Sequence, residues 1–250
     1  MSEYVLSFQL FSARKFPPIE TQLEKLRELG YAGVEPYPGI YESDPDAFLA
    51  KVRKAGLTIP SLVSSVDFID ENRDELLRIA RLFGTQKVVL SYLAPDERPV
   101  DEAGWRAFGA RLNEHAEAAQ AAGLSLNWHN HAFECIALDD GSRPIDAILE
   151  APALGWEADI GWLTRAHCDV PEELSRYASK ISLVHMKDMA SDDPAVAGGW
   201  ADVGSGVVDW NVVWPAVKAT GAKLLVVEHD DPPDWYDCAK NSIAFLKTLT

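Results

Sequence analysis

Two periods of apolar residues run through the chain. Short runs rich in β-branched and aromatic residues, at 4–10, 31–35, 57–62, 87–92, 124–129, 155–159, 181–186 and 224–228, predict eight strands. Amphipathic segments at 18–29, 46–55, 71–83, 102–122, 145–149, 172–178, 210–220 and 236–249 predict the intervening helices. Gly30, Gly56, Gly84 and Gly123 each stand between a helix and the next strand, where a helix stops before a parallel strand begins. The second half is less regular. A long polar connection at 187–207 carries Gly198-Gly199-Trp200 and Gly204-Ser205-Gly206.

Strand and helix alternate throughout and no linker divides them, so residues 1–250 are expected to form one domain, a single (β/α)8 TIM barrel of the α/β class. An open doubly wound sheet is the other arrangement with this alternation. No GxGxxG follows the first strand, which counts against it.

Composition narrows the picture further. The net charge of −16 disfavours a nucleic-acid partner, because that binding depends on neutralising phosphates with Lys and Arg. The start, MSEYVLSFQL, lacks a cationic segment followed by a long apolar run, and no apolar stretch reaches membrane-spanning length. Cys135, Cys168 and Cys238 are scattered without a CxxC pair. A reduced, cytoplasmic setting with no membrane partner is therefore expected. Eight tryptophans offer flat apolar walls of the kind sugars stack against.

Ligand-type residues mark the strand ends. Strand five closes in Asn127-Trp128-His129-Asn130-His131-Ala132-Phe133-Glu134; later strands end in Asp159, His185 and Glu228. Because strand side chains alternate, Asn127, His129 and His131 share one face while Leu126 and Trp128 share the other. Each residue alone fits a plain structural role: Asp159 as a cap, His185 as a satisfied near-core histidine, Glu228 as half of a salt bridge. Together they weaken those readings, since the carboxyl ends of barrel strands converge on one rim. Two Glu, one Asp and one His there suit one divalent cation, Mn2+, Mg2+, Co2+ or Zn2+, able to polarise a carbonyl and stabilise an enediolate. Glu35, Trp162, Lys187, Asp188 and Trp200 are further rim candidates for binding substrate, each with a capping, packing or salt-bridge role as the plain alternative. His115 lies inside a helix away from the rim and is expected to be structural.

Gly30-Tyr31-Ala32-Gly33-Val34-Glu35, Trp128 to Glu134, Asp159-Ile160-Gly161-Trp162, His185-Met186-Lys187-Asp188 and Val227-Glu228-His229-Asp230 together resemble the xylose-isomerase-like TIM-barrel superfamily of sugar isomerases and epimerases. The resemblance covers essentially the whole chain. In ketose 3-epimerases of that superfamily a Glu, an Asp, a His and a Glu after strands five to eight bind one divalent metal, and the two Glu act as acid and base. The last three map onto Asp159, His185 and Glu228. The usual Glu-Asn-His pattern reads His129-Asn130-His131 here. A subgroup with His-Asn-His-x-x-Glu is similar and points to Glu134 as fourth ligand, with His129 as the alternative.

The resemblance implies a metal-dependent isomerase or epimerase of a keto-sugar or related polyol. Glu134 and Glu228 would be acid and base, and His131 would orient substrate or serve as an alternate base. A dehydratase or lyase acting on a keto-inositol or 3-keto-glycoside shares the first proton abstraction. A nuclease of the endonuclease IV kind would need a DNA-attracting surface. A barrel that only binds a sugar or a protein partner is the non-enzymatic alternative. The expected partner is a small carbohydrate, and a homo-oligomer is compatible with the sequence.

Overall fold

The structure is a computed structural model and describes residues 3–191 and 197–250. The connection predicted at 187–207 therefore lies partly outside the described residues. Eight parallel strands form the barrel: β1 Val5–Gln9, β2 Gly33–Glu35, β3 Ser61–Ser64, β4 Lys87–Ser91, β5 Ser125–His129, β6 Gly155–Asp159, β7 Ile181–Met186 and β8 Leu224–Val227. They hydrogen-bond in the order β2-β1-β8-β7-β6-β5-β4-β3. A bridge between Gly33 and Thr58, and a hydrogen bond of 3.0 Å from Val63 N to Pro36 O, join β2 to β3 and close the ring.

The helices begin and end where local chemistry dictates. Ser65 and Asp101 accept hydrogen bonds from Phe68 N and Gly104 N at the first turns of Val66–Phe83 and Glu102–Ala121. Gly30, at φ 98°, ends Ile19–Leu29 in a left-handed cap that a residue with Cβ adopts only at a cost. Two elements depart from the sequence reading. The third strand lies at 61–64 rather than 57–62, because Pro60 has no N–H to give a ladder. The next helix starts at Val66 rather than residue 71, with non-helical backbone at Asn72.

Strand alternation separates two apolar layers. Leu6, Phe8, Leu62, Val88, Leu126, Trp128, Trp156, Val184 and Leu225 face outward into the core shared with the helices. Val63, Val89, Leu183, Leu224 and Val226 form a separate cluster that fills the barrel itself. Above that plug the inward positions turn polar. Gln9, Glu35, His129, Glu157, Asp159, His185 and Glu228 all lie buried at the carboxyl-end rim.

One irregularity decides which residue of β7 reaches this rim. Trp156 pairs with Ile181, but Glu157 pairs with Leu183, so Ser182 is an extra residue on β7. Without that bulge Val184 would stand beside Asp159. With it, His185 does.

The loop after β7 is organised by Asp188. This buried carboxylate accepts hydrogen bonds from the backbone N–H of Met189, Gly204, Gly206 and Val208 and from Trp210 Nε1. A Cβ on Gly206 would fall 2.2 Å from Asp188 Oδ1, so the loop can approach only as glycine. Asp188 was a candidate for substrate binding in the sequence; its donors use both oxygens, and it ties the Gly204-Ser205-Gly206 segment to the barrel instead.

Asp188→Ala would orphan these buried donors, each costing about 1–3 kcal/mol when unpaired. The expected loss of unfolding free energy in urea denaturation is about 3 kcal/mol or more, given some relaxation of the loop. A loss below about 1 kcal/mol would contradict this role.

Candidate metal centre

His129, Asp159, His185 and Glu228 each present a ligand-type atom, and these atoms lie within 4.8 Å of one another. Asp159 Oδ2 is 3.8 Å from His129 Nε2 and 3.7 Å from His185 Nδ1. His185 Nδ1 is also 3.2 Å from Glu228 Oε2. Asp159 Oδ2 is fully buried yet has no hydrogen-bond partner. A buried carboxylate oxygen facing two imidazole nitrogens without a donor fits a ligand for a divalent cation.

A second layer lies behind the imidazoles. His129 Nδ1 is 3.1 Å and His185 Nε2 3.2 Å from Glu157 Oε2. His185 Nε2 is also 2.8 Å from Glu35 Oε1, which accepts a hydrogen bond from Gln9 Nε2 at 2.8 Å. Glu35, Glu157 and His185 form another group with ligand atoms in mutual reach. Glu35 was expected to meet a sugar hydroxyl; it lies fully buried under His185 instead.

Lys187 brings a buried ammonium to the site. Its Nζ donates to Glu228 Oε2 at 3.0 Å and to Asp230, and lies 4.0 Å from Asp159 Oδ2. Burial pulls this ammonium down, but Asp230, Glu228 and Asp159 outweigh it and hold the group charged. Lys187 was also expected to meet substrate; fully buried, it braces Glu228 rather than lining the cavity.

The ionisation of the cluster follows from its neighbours. Burial raises Glu228, but Lys187 and His185 reverse this and hold it well below the usual carboxylate range. Burial, with His185 and His131 nearby, holds His129 well below the ordinary imidazole value, so it is neutral. Burial pulls His185 down too, but Glu157 and Glu35 overcome it and raise the ring well above that value. His129 therefore offers a free lone pair, whereas His185 must lose a proton to bind a metal.

Glu134 does not join the cluster. Its Oε1 accepts from Trp128 Nε1 at 3.1 Å and its Oε2 from His131 N at 2.8 Å. Trp128 points outward, with its ring against Phe108, so Glu134 is fastened on the opposite side of β5 from His129. Burial pushes its carboxyl up to about 8, against these donors. Glu134, expected as fourth ligand and catalytic carboxylate, is held away from the cluster, and His129, the alternative, occupies the place beside Asp159, His185 and Glu228.

A cavity of about 530 Å3 opens over the cluster, with His129, His185 and Glu228 in its floor. Phe11, Tyr37, Tyr92 and Trp162 supply aromatic wall, and among the described residues no Lys or Arg lines it. His131 lines it too, with its ring 5.4 Å from Tyr92 and 5.0 Å from Trp162. Its Nδ1 has no partner, and burial lowers the ring to about 3, so it faces the cavity as a neutral imidazole. Tyr92 sits at φ 69°, a conformation that side chains other than glycine seldom adopt. Trp200 was a rim candidate for binding substrate; it is buried behind Trp162, at 4.5 Å between rings, and backs the wall. His115 stays away from the rim, 2.8 Å from Asp70.

Glu157 and Asp230 were not singled out in the sequence as site residues. Glu157 precedes Asp159 by two, so strand alternation places both on one face, a signal hidden inside the apolar run Gly155-Trp156-Glu157-Ala158. Nothing local distinguishes Asp230 before the fold brings it to Lys187.

The chain belongs to the Xylose isomerase-like TIM barrel family, whose match runs over residues 23–249. It is 25% identical to an inosose dehydratase of Geobacillus kaustophilus, over 68% of this chain and 62% of that enzyme. Among solved structures it resembles a sugar phosphate isomerase/epimerase from Parabacteroides distasonis, at TM-score 0.80 and 18% identity, covering 99% of this chain and 94% of that one. A xylose isomerase-like TIM barrel protein from Mycobacterium smegmatis, solved in complex with magnesium, matches at TM-score 0.74 and 21% identity, covering 100% and 98% of the two chains. Among the described residues no helix is long and apolar enough to cross a membrane.

Mn2+ titration separates the two fourth-ligand assignments. His129→Ala should weaken binding roughly tenfold or more, whereas Glu134→Gln should leave affinity within about threefold while lowering stability by about 1–3 kcal/mol, because an amide N–H would face an N–H donor. The reverse order of affinities would return the role to Glu134. Binding should also release protons and tighten as pH rises, because protonated His185 competes with the metal.

Proposed function

We propose that this protein is a divalent-metal-dependent isomerase of a neutral keto-sugar or related polyol, working through an enediolate of the substrate. The convergence of His129, Asp159, His185 and Glu228 under one cavity carries this reading. A xylose isomerase-like TIM barrel protein of the same fold from Mycobacterium smegmatis was solved in complex with magnesium, which supports a metal-dependent reading. A bound divalent cation would polarise the ketone and offset the negative charge that grows on its oxygen as the neighbouring proton leaves.

The chain's own residues do the rest. Glu228 lines the cavity as a carboxylate without a proton, and its place there makes it the base for the proton next to the carbonyl. Lys187 Nζ, 3.0 Å from Glu228 Oε2, fixes that carboxylate and keeps it anionic. Neutral His131 reaches the same cavity and can donate to or accept from a substrate hydroxyl. Trp162 and Tyr92 give apolar faces on which a sugar ring can stack and water is excluded.

The withdrawal of Glu134 bears on the fate of the enediolate. Inversion by two opposed carboxylates would need a partner for Glu228; among the described residues the other carboxylate lining the cavity is Asp230, which binds the same Lys187 Nζ as Glu228 and so stands beside it rather than across the substrate from it. One base serving one face suits carbonyl migration, with Glu228 returning the proton to the adjacent carbon. It equally suits elimination of a hydroxyl from the neighbouring carbon. The likeness to an inosose dehydratase favours that second reading, a dehydratase or lyase acting on a cyclic keto-polyol.

Incubating the metal-loaded protein with a panel of keto-sugars and keto-inositols in D2O should place deuterium on carbon next to the carbonyl. Glu228→Gln should abolish this exchange. Product NMR then assigns the fate: a shifted carbonyl for the isomerase, an alkene or diketone for the dehydratase. Undiminished exchange in Glu228→Gln would refute Glu228 as base, and absence of exchange across the panel with metal bound would refute the enediolate reading.

The same panel tests charge. With no Lys or Arg among the described lining residues, free sugars should be turned over better than their phosphates. A preference for phosphates of about 100-fold, equivalent to about 2.7 kcal/mol, would contradict a neutral substrate.

A further inference from the structure

We infer that Glu157 is a positioning residue that sets the tautomers of His129 and His185, leaving each ring with its free nitrogen turned toward the metal centre; this rests on the metal reading above. Glu157 is fully buried on β6, and its role follows from geometry alone. A single oxygen, Oε2, lies 3.1 Å from His129 Nδ1 and 3.2 Å from His185 Nε2. That oxygen carries lone pairs toward both rings, so each nitrogen facing it must bear the hydrogen. On His129 this leaves Nε2 free; on His185 it leaves Nδ1, 3.2 Å from Glu228 Oε2, as the nitrogen that gives up its hydrogen when a metal binds. These are the two that lie 3.8 and 3.7 Å from Asp159 Oδ2.

The two rings therefore use opposite nitrogens toward the centre. One acceptor between them enforces this, since the rings stand 4.6 Å apart at an interplanar angle of 69° around it. Their dependence on Glu157 is unequal. His185 Nε2 has a second acceptor in Glu35 Oε1 at 2.8 Å. For His129 Nδ1 the structure gives Glu157 as hydrogen-bond acceptor. Removing the acceptor should release His129 first and leave His185 held.

Carboxylates behind a ligating histidine orient the ring and raise its basicity, and their loss typically weakens metal binding 10- to 100-fold. In the Zn2+-loaded protein, long-range 15N–1H NMR should find the ring hydrogen of His129 on Nδ1 and that of His185 on Nε2. Glu157→Leu, which removes the acceptor at similar volume, should weaken Mn2+ binding by about 10- to 100-fold and disturb the His129 pattern more than that of His185. Glu157→Gln, whose amide oxygen can still accept, should recover most of the affinity.

The opposite tautomer on either ring in the wild-type protein overturns the proposal, and this holds even if Glu157→Leu does not fold. Wild-type Mn2+ affinity in a folded Glu157→Leu overturns it as well, as does a Glu157→Gln variant as weak as the leucine one. A wild-type protein that binds neither Zn2+ nor Mn2+ would instead remove the metal reading beneath it.

Discussion

Ionisable groups buried together at one barrel mouth must neutralise one another, and this constraint shapes the whole site. Glu35, His129, Glu157, Asp159, His185, Lys187 and Glu228 are all buried at the rim. An isolated charge there would be far too costly, so each group has an opposite charge or a hydrogen-bonding partner within reach. Lys187 balances Glu228 and Asp230; the imidazoles of His129 and His185 sit between the deeper carboxylates and the outer ones. Asp159 Oδ2, without a hydrogen bond, is the point where this balance calls for a further cation.

The fold serves that constraint through strand register. The apolar plug of Val63, Val89, Leu183, Leu224 and Val226 seals the barrel beneath the polar layer and keeps its dielectric low. The bulge at Ser182 rotates His185 onto the inward face beside Asp159. Asp188, the next inward-loop carboxylate, is spent on backbone donors and holds the loop that returns toward β8. Glu157, Asp159 and Asp188 thus have unrelated jobs: Asp159 faces the centre, Glu157 lies behind the two histidines and Asp188 anchors a loop.

Period and punctuation made the architecture legible. Helix-ending glycines and strand alternation were enough to place the strands, apart from the shift of β3 around Pro60, and to bring Asp159, His185 and Glu228 to one rim. The fourth position was not legible, because it depends on how the chain turns after β5. His129 and Glu134 are close in sequence, and only the hydrogen bond from Trp128 Nε1 shows that Glu134 is held on the helix side. Asp188 looked like a site residue because it follows His185-Met186-Lys187; its donors arrive from residues up to Trp210, which local reasoning cannot see. Glu157 could have been found from its two-residue spacing to Asp159, but its apolar neighbours made the strand read as core.

The account stands or falls on where a metal sits. The most direct measurement is the anomalous difference density of a crystal of this protein grown with Mn2+. The account predicts one strong peak within bonding distance of His129 Nε2, Asp159 Oδ2, His185 Nδ1 and a Glu228 oxygen. A peak bonded to Glu134, or seated among Glu35, Glu157 and His185 Nε2, would contradict it.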